Sequence, residues 1–212
     1  MIERERLLLY AVTDRRWTGR QTLLQQLEDA LRGGVTLVQL REKDLAPAAL
    51  VQEAREMKEL CHRYGVPLLV DDDLTAALES GADGIHVGQG DLPVAEVRRR
   101  AGPDFIVGAT AKTVEQAIAA ERAGADYLGV GAVFPSPTKG DAIRITTEQL
   151  KAICAAVSIP CVAIGGITKE NAASLRGCGA AGLAVISALF AAQDIRAAAA
   201  ALLPVARGVA ES

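Results

Sequence analysis

Aromatic side chains are scarce in this sequence. Only 3% of its 212 residues are Phe, Trp or Tyr, too few to build stacking platforms, so base stacking and an aromatic-lined ligand site are not expected. Histidine is scarcer still. His62 and His86 are the only two, and neither can be paired from sequence with a cysteine as base and nucleophile. The four cysteines, Cys61, Cys154, Cys161 and Cys178, include no C-x-x-C pair and no zinc-site spacing. Each lies in an apolar or glycine-rich setting and is expected as a small, buried, reduced hydrophobe. Charge of one sign is also missing. A formal net charge of -3 provides no basic field for nucleic acid, and no charge run is long enough to act as a tail. Any anionic ligand must therefore be held by local groups. No apolar run reaches the roughly 18 residues of a membrane span, and residues 1–6 alternate acid and base where a signal peptide needs an apolar core. A soluble, cytoplasmic protein with no nucleic-acid or membrane partner is expected. The oligomeric state is open, and a homo-oligomer is compatible with the sequence.

What is present is ample material for a core: 50% of residues are hydrophobic and 23% are charged. Short apolar runs recur at 7–12, 35–40, 66–70, 84–87, 105–109, 127–130, 160–164 and 182–186. They are too short for helices, and their consecutive Val, Ile and Leu suit parallel strands covered on both faces. Helix-period segments lie between them, at 21–32, 48–64, 93–100, 114–122 and 148–156. Gly33-Gly34, Gly65, Gly81 and Gly124 close helices where a left-handed cap is wanted. Thr113, with Gln116 three residues on, reads as a helix start. The tetrads Gly81-Ala82-Asp83-Gly84, Gly124-Ala125-Asp126-Tyr127 and Gly179-Ala180-Ala181-Gly182 each precede a strand and mark repeated βα units. No consensus runs through the helices, against a solenoid. The first strand leads into Val12-Thr13-Asp14-Arg15 and not the glycine-rich turn of a Rossmann fold. The pattern therefore indicates an α/β protein, a single (β/α)8 TIM barrel over residues 1–212, with ends near 1–5 and 207–212 expected to fray.

In such a barrel functional groups gather where strands end. The second strand ends in Gln39-Leu40-Arg41-Glu42-Lys43, where Gln39, Arg41 and Lys43 share one direction and Leu40 takes the other. An amide and two cations there make an anion site; the alternative is a solvated loop. The third strand ends in Asp71-Asp72-Asp73, carboxylates that repel one another unless a cation is near. Asp73 is the candidate cap for a helix beginning at Leu74. Asp91 follows the fourth strand in His86-Val87-Gly88-Gln89-Gly90-Asp91. Two carboxylates from adjacent loops, with room for water and phosphate oxygens, suit Mg2+. Thr110 and Lys112 follow the fifth strand. After the sixth, Ser136-Pro137-Thr138-Lys139 sets two hydroxyls beside a lysine in a proline-stiffened loop. Gly165-Gly166 after the seventh and a helix start at Ile186-Ser187 after the eighth match the phosphate site usual in barrels. A set able to neutralise several negative charges (Arg41, Lys43, Lys139 and Mg2+) and a separate monophosphate cradle imply two phosphorylated small-molecule substrates.

In this order and spacing the motifs resemble thiamine phosphate synthase. The resemblance implies that Gln39, Leu40, Arg41, Glu42 and Lys43, with Asp71, Thr110 and Lys139, contact a hydroxymethylpyrimidine diphosphate. It implies that Asp72 and Asp91 ligate Mg2+, and that Ser136, Pro137, Thr138, Gly165, Gly166, Ile186 and Ser187 bind a thiazole phosphate. Arg41, Lys43 and Lys139 would stabilise the departing pyrophosphate, in a dissociative substitution that needs no protein nucleophile. Two positions depart from the family's pattern: Asp71 stands where Asn is usual, and Lys112 where His is usual. Lys112 is expected to offset part of the charge that Asp71 adds. The alternatives are a thiazole tautomerase-like isomerase, whose sister group carries the missing histidine, and a phosphate-binding barrel without catalysis.

Overall fold

A computed structural model describes residues 2–19, 21–135 and 144–212. Eight short parallel strands close into a barrel in sequence order: β1 (Leu9–Val12), β2 (Leu37–Leu40), β3 (Leu68–Asp71), β4 (Gly84–Val87), β5 (Ile106–Ala111), β6 (Tyr127–Gly131), β7 (Cys161–Ile164) and β8 (Gly182–Val185). The helices around it are α1 (Leu23–Arg32), α2 (Pro47–Arg63), α3 (Leu74–Ser80), α4 (Val94–Ala101), α5 (Val114–Arg122), α6 (Thr147–Ala156), α7 (Ser187–Phe190) and α8 (Ile195–Ala210). Five strands are shorter than the apolar runs that announce them, β4 matches its run, and β5 and β6 extend past theirs. Leu7, for example, belongs to a 3₁₀ turn that plugs the barrel floor. Between β7 and β8 the connection is a single 3₁₀ turn, Ala172–Leu175, where a full helix would complete the repeat. Near the C-terminus α8 runs to Ala210, with Val209 fully buried.

Two apolar layers form because side chains alternate along each strand. Leu9, Ala11, Val38, Leu40, Leu68, Val70, Ile85 and Val87 face the helices. Tyr10, Val12, Leu37, Leu69, Tyr127 and Val162 fill the inside. Both faces are covered, so the runs look continuous in sequence although each strand serves two layers. All four cysteines are unpaired; Cys61, Cys161 and Cys178 are buried and Cys154 is half-buried. Burial pushes the Cys61 thiol up to about 12, as expected of a structural cysteine.

Local signals set the element ends. Thr22 and Gln25 form a reciprocal capping box at α1, and Thr146 and Gln149 another at α6. Thr113 caps α5, but Gln116 turns back to accept from Lys112 N at 2.8 Å instead of closing a box. Of the expected left-handed glycines, Gly34, Gly65, Gly81 and Gly124 have positive φ. Gly33 remains right-handed, at φ -82°. Its reason is contact: a Cβ there would lie 2.5 Å from the Ala199 Cβ of α8.

The repeated tetrads stitch neighbouring strands together. Asp83 N donates to Leu68 O, and its carboxylate accepts from Leu68 N at 2.8 Å. Asp126 does the same with Val107, at 2.9 Å for the carboxylate bond. Ala181 keeps only the backbone half, donating to Cys161 O at 2.7 Å. No helix is long and apolar enough to cross a membrane among the described residues.

Candidate active site

At the C-terminal end of the barrel a cavity of about 200 Å3 opens among the strand ends. Gln39, Arg41, Lys43, Asp71, Asp72, Asp91, Thr110, Lys112, Gly165 and Ile186 all border it. Leu40 and Glu42 do not. Strand alternation turns Leu40 into the helix-facing layer, fully buried. The Glu42 side chain is buried to 6% exposure and held by Arg15 Nε at 3.1 Å. Burial raises the Glu42 pKa, against the pull of Arg15. Neither side chain is placed to meet a ligand in the cavity. Ser136, Pro137, Thr138 and Lys139 lie outside the described residues.

The wall formed by β2, β3 and β4 carries the charge. Thr13, fully buried, accepts from Arg41 N at 3.0 Å and donates its own N–H to Gln39 O at 3.0 Å, fixing where the Arg41 segment leaves the barrel. Asp72 takes a left-handed turn at φ 60°, a conformation Asp tolerates better than most residues. Its N–H donates to His86 O at 2.9 Å, and Asp73 accepts from Ala76 N to start α3, as the sequence suggests. Lys43 Nζ sits between the two acids, 2.9 Å from Asp71 and in direct contact with Asp72. Arg41 Nε lies 3.7 Å from the same Asp71 oxygen. Burial works against the Lys43 ammonium, but Asp72 and Asp71 outweigh it and hold its pKa above the ordinary lysine value.

The expectation that Lys112 offsets Asp71 is therefore corrected: Lys43 and Arg41 do so. The register explains why. Gln39 pairs with Leu69 across β2 and β3, so the residues two further on, Arg41 and Asp71, stand opposite each other. Lys112 follows β5, two strands away from β3.

Asp91 enters from the loop after β4, where Gly88 N donates to its carboxylate at 2.7 Å. Its pKa is raised, first by its contact with Asp72 and then by burial, with the Gly88 bond opposing. Asp72 and Asp91 thus form a carboxylate pair with one ammonium, Lys43, at Asp72, and a divalent cation would supply further positive charge. No group of three or more Asp, Glu, His or Cys side chains is arranged to hold a metal ion among the described residues.

The opposite wall is backbone. Gly165 and Gly166 have φ of 102° and 63°, and a Cβ at Gly166 would stand 2.1 Å from Pro135 O. With Ile186 and Ser187 they line a recess of about 30 Å3. Asn171, absent from the sequence reading, braces this turn: its Nδ2 donates to Gly166 O at 2.9 Å and its Oδ1 accepts from Thr168 N at 2.8 Å. The helix beginning at Ser187 is one turn long, so the local N–H groups matter more here than any summed helix dipole.

The floor is the main feature that sequence reasoning missed. Tyr10, Tyr127 and His86 form a buried polar chain between Gln39 and Thr110. Of the Phe, Trp and Tyr side chains, Tyr10 alone borders the cavity among the described residues, and it packs edge-on against Tyr127 with ring centroids 6.0 Å apart. Applying the strand alternation to 9–12 and 127–131 would have turned both tyrosines inward.

The cavity thus sets charged side chains on one wall against a turn of bare glycine backbone on the other. Residues 9–189 match the family described as thiamine monophosphate synthase. A thiamine-phosphate synthase 2 from Streptococcus pneumoniae (serotype 4) is 48% identical over 92% of this chain and 93% of its own. A thiamine-phosphate synthase from Ruminiclostridium cellulolyticum is 47% identical over 93% and 94%. Among solved structures, a thiamine phosphate pyrophosphorylase from Pyrococcus furiosus superposes with a TM-score of 0.90 at 38% identity, covering 97% of this chain and 98% of that one. A 3-hexulose-6-phosphate synthase, at 16% identity and TM-score 0.70, shares the fold. The chain belongs to the thiamine monophosphate synthase family.

Proposed function

We propose that this chain is the transferase its family defines: it joins a hydroxymethylpyrimidine diphosphate to a thiazole phosphate, releasing pyrophosphate and forming thiamine phosphate. The observation that carries this reading is the presence of two unlike sites at one end of the barrel, a cavity with charged walls and a glycine-lined recess that shares Gly165 and Ile186 with it. Lys43, Arg41 and the Asp72–Asp91 pair border the cavity, and Gly165, Gly166, Ile186 and Ser187 line the recess. A one-substrate isomerase has no use for the first.

Asp72 and Asp91 would hold Mg2+, which when bound neutralises charge on the diphosphate and its departing product. Arg41 and Lys43 would exchange their carboxylate partners for diphosphate oxygens. Their charges are already placed, so they stabilise pyrophosphate as it gains charge with little rearrangement. Lys139, from the sequence, would join them. Gln39 and Thr110 would orient the pyrimidine ring, and the glycine cradle would set the thiazole nitrogen at the carbon that pyrophosphate leaves. Ser136, Pro137 and Thr138 would complete that second substrate's site. No protein nucleophile takes part, since the thiazole nitrogen captures the carbon itself.

Supplying both substrates with Mg2+ tests the reading. Thiamine phosphate and pyrophosphate should appear in equal amounts. Interconversion of thiazole tautomers without metal, or tight ligand binding without turnover, would replace it with an isomerase or a non-catalytic barrel.

A further inference from the structure

A chain of hydrogen bonds crosses the barrel beneath the cavity. Gln39 Nε2 donates to the Tyr10 hydroxyl at 2.6 Å. The two tyrosine hydroxyls lie 2.9 Å apart, Tyr127 reaches His86 Nδ1 at 2.9 Å, and His86 Nε2 meets Thr110 Oγ1 at 3.0 Å. Tyr10, Gln39, Tyr127 and His86 are all buried. Space for the chain is made by glycine. A Cβ at Gly108 would fall 2.2 Å from the Tyr127 ring, and one at Gly129 would fall 3.0 Å from His86. Burial holds both phenols far above the ordinary tyrosine pKa, so each keeps its single proton.

A hydroxyl has one proton to donate, and this gives the chain a direction. Tyr10 accepts from Gln39, and the partner left within the chain for its own proton is Tyr127. Tyr127 then donates to His86 Nδ1, which must be bare. The neutral imidazole carries its proton on Nε2 and donates to Thr110, whose hydroxyl proton is left to point into the cavity. At the far end, Gln39 has committed an N–H and shows its carbonyl oxygen. Reversing the Gln39 amide would reverse every link and swap both ends together.

We propose that Tyr10, Tyr127 and His86 are positioning residues that lock an acceptor at Gln39 to a donor at Thr110, so that the cavity selects an aminopyrimidine over its oxo analogue. An aminopyrimidine offers an amine donor to Gln39 and a ring-nitrogen acceptor to Thr110. The oxo form offers a carbonyl acceptor and a ring N–H donor, and would leave buried partners unpaired at both ends. The selection rests on the functional reading above; the direction of the chain does not.

The direction is tested without turnover. In protein labelled with 15N-histidine, only His62 and His86 contribute, and His62→Gln assigns them. His86 should show the neutral tautomer protonated at Nε2. A proton on Nδ1, or a charged ring, overturns the proposal. The selection is tested with Tyr127→Phe, which breaks the chain at its centre. Preference in kcat/KM for the aminopyrimidine diphosphate over its oxo analogue should fall by about tenfold or more, while KM for the thiazole phosphate holds. An unchanged preference in a folded Tyr127→Phe protein overturns the selection. Absence of thiamine phosphate from the unmodified protein would instead overturn the functional reading, leaving the tautomer result standing.

Discussion

The two walls at the mouth of the barrel are built by opposite means. On the β2–β4 side the work falls to side chains: Lys43 and Arg41 pair with Asp71, and Asp72 with Asp91 forms a carboxylate pair. On the β7–β8 side it falls to backbone, in a turn of Gly165 and Gly166 too tight for any Cβ. The first wall can be tuned residue by residue, because each charge has a partner that can be exchanged for phosphate. The second can only be kept or lost. A diphosphate whose charge changes during reaction suits the adjustable wall, and a monophosphate that is merely held suits the rigid one.

That contrast can be broken most sharply at the metal pair. Asp91→Ala should reduce turnover by about 10³-fold or more, in a steady-state assay, with thiazole phosphate binding retained. Near-normal rates would remove Asp91 from the metal site. On the rigid wall, Gly166→Ala should raise KM for the thiazole phosphate by about 10- to 100-fold. Its Cβ clashes with Pro135 O and its positive φ disfavours any side chain. Loss of diphosphate affinity in that variant would show that the walls are not independent.

A smaller effect is expected at Asp71. Asp71→Asn should tighten pyrophosphate binding severalfold, about 3- to 10-fold by calorimetry, because it frees Lys43 and Arg41 from a competing carboxylate. Unchanged affinity would show that the competition carries no weight. The smallest effect concerns stability. Asp91 is held above its unfolded pKa by Asp72. An acid raised in the folded state favours folding below its unfolded pKa and loses that contribution as pH rises through the folded value. The metal-free protein should therefore gain thermal stability from Asp91→Asn above the carboxylate range, and the gain should vanish below it. A gain equal at both pH values would rule out repulsion as its cause.

Much of this contrast was readable before the structure. The β2–β4 wall announces itself because polar residues interrupt apolar strand ends at Gln39, Arg41 and Asp71. The glycine wall is equally visible at Gly165-Gly166. What stayed hidden depended on distance across the barrel. Asp71 meets Lys43 and Arg41, not Lys112, because β2 is the hydrogen-bonded neighbour of β3 and β5 is not. Leu40 and Glu42 belong to the same motif as Arg41, yet alternation and Arg15 turn them away. Tyr10 and Tyr127 went unnoticed because strands covered on both faces show no alternation of polarity in sequence. Asn171 could not be assigned because its role is a pair of bonds to the Gly166–Thr168 turn.

The division of labour between the walls is tested most directly by measuring KM for each substrate as Mg2+ is withdrawn. KM for the pyrimidine diphosphate should climb steeply while that for the thiazole phosphate stays level. A parallel rise in both would contradict the account.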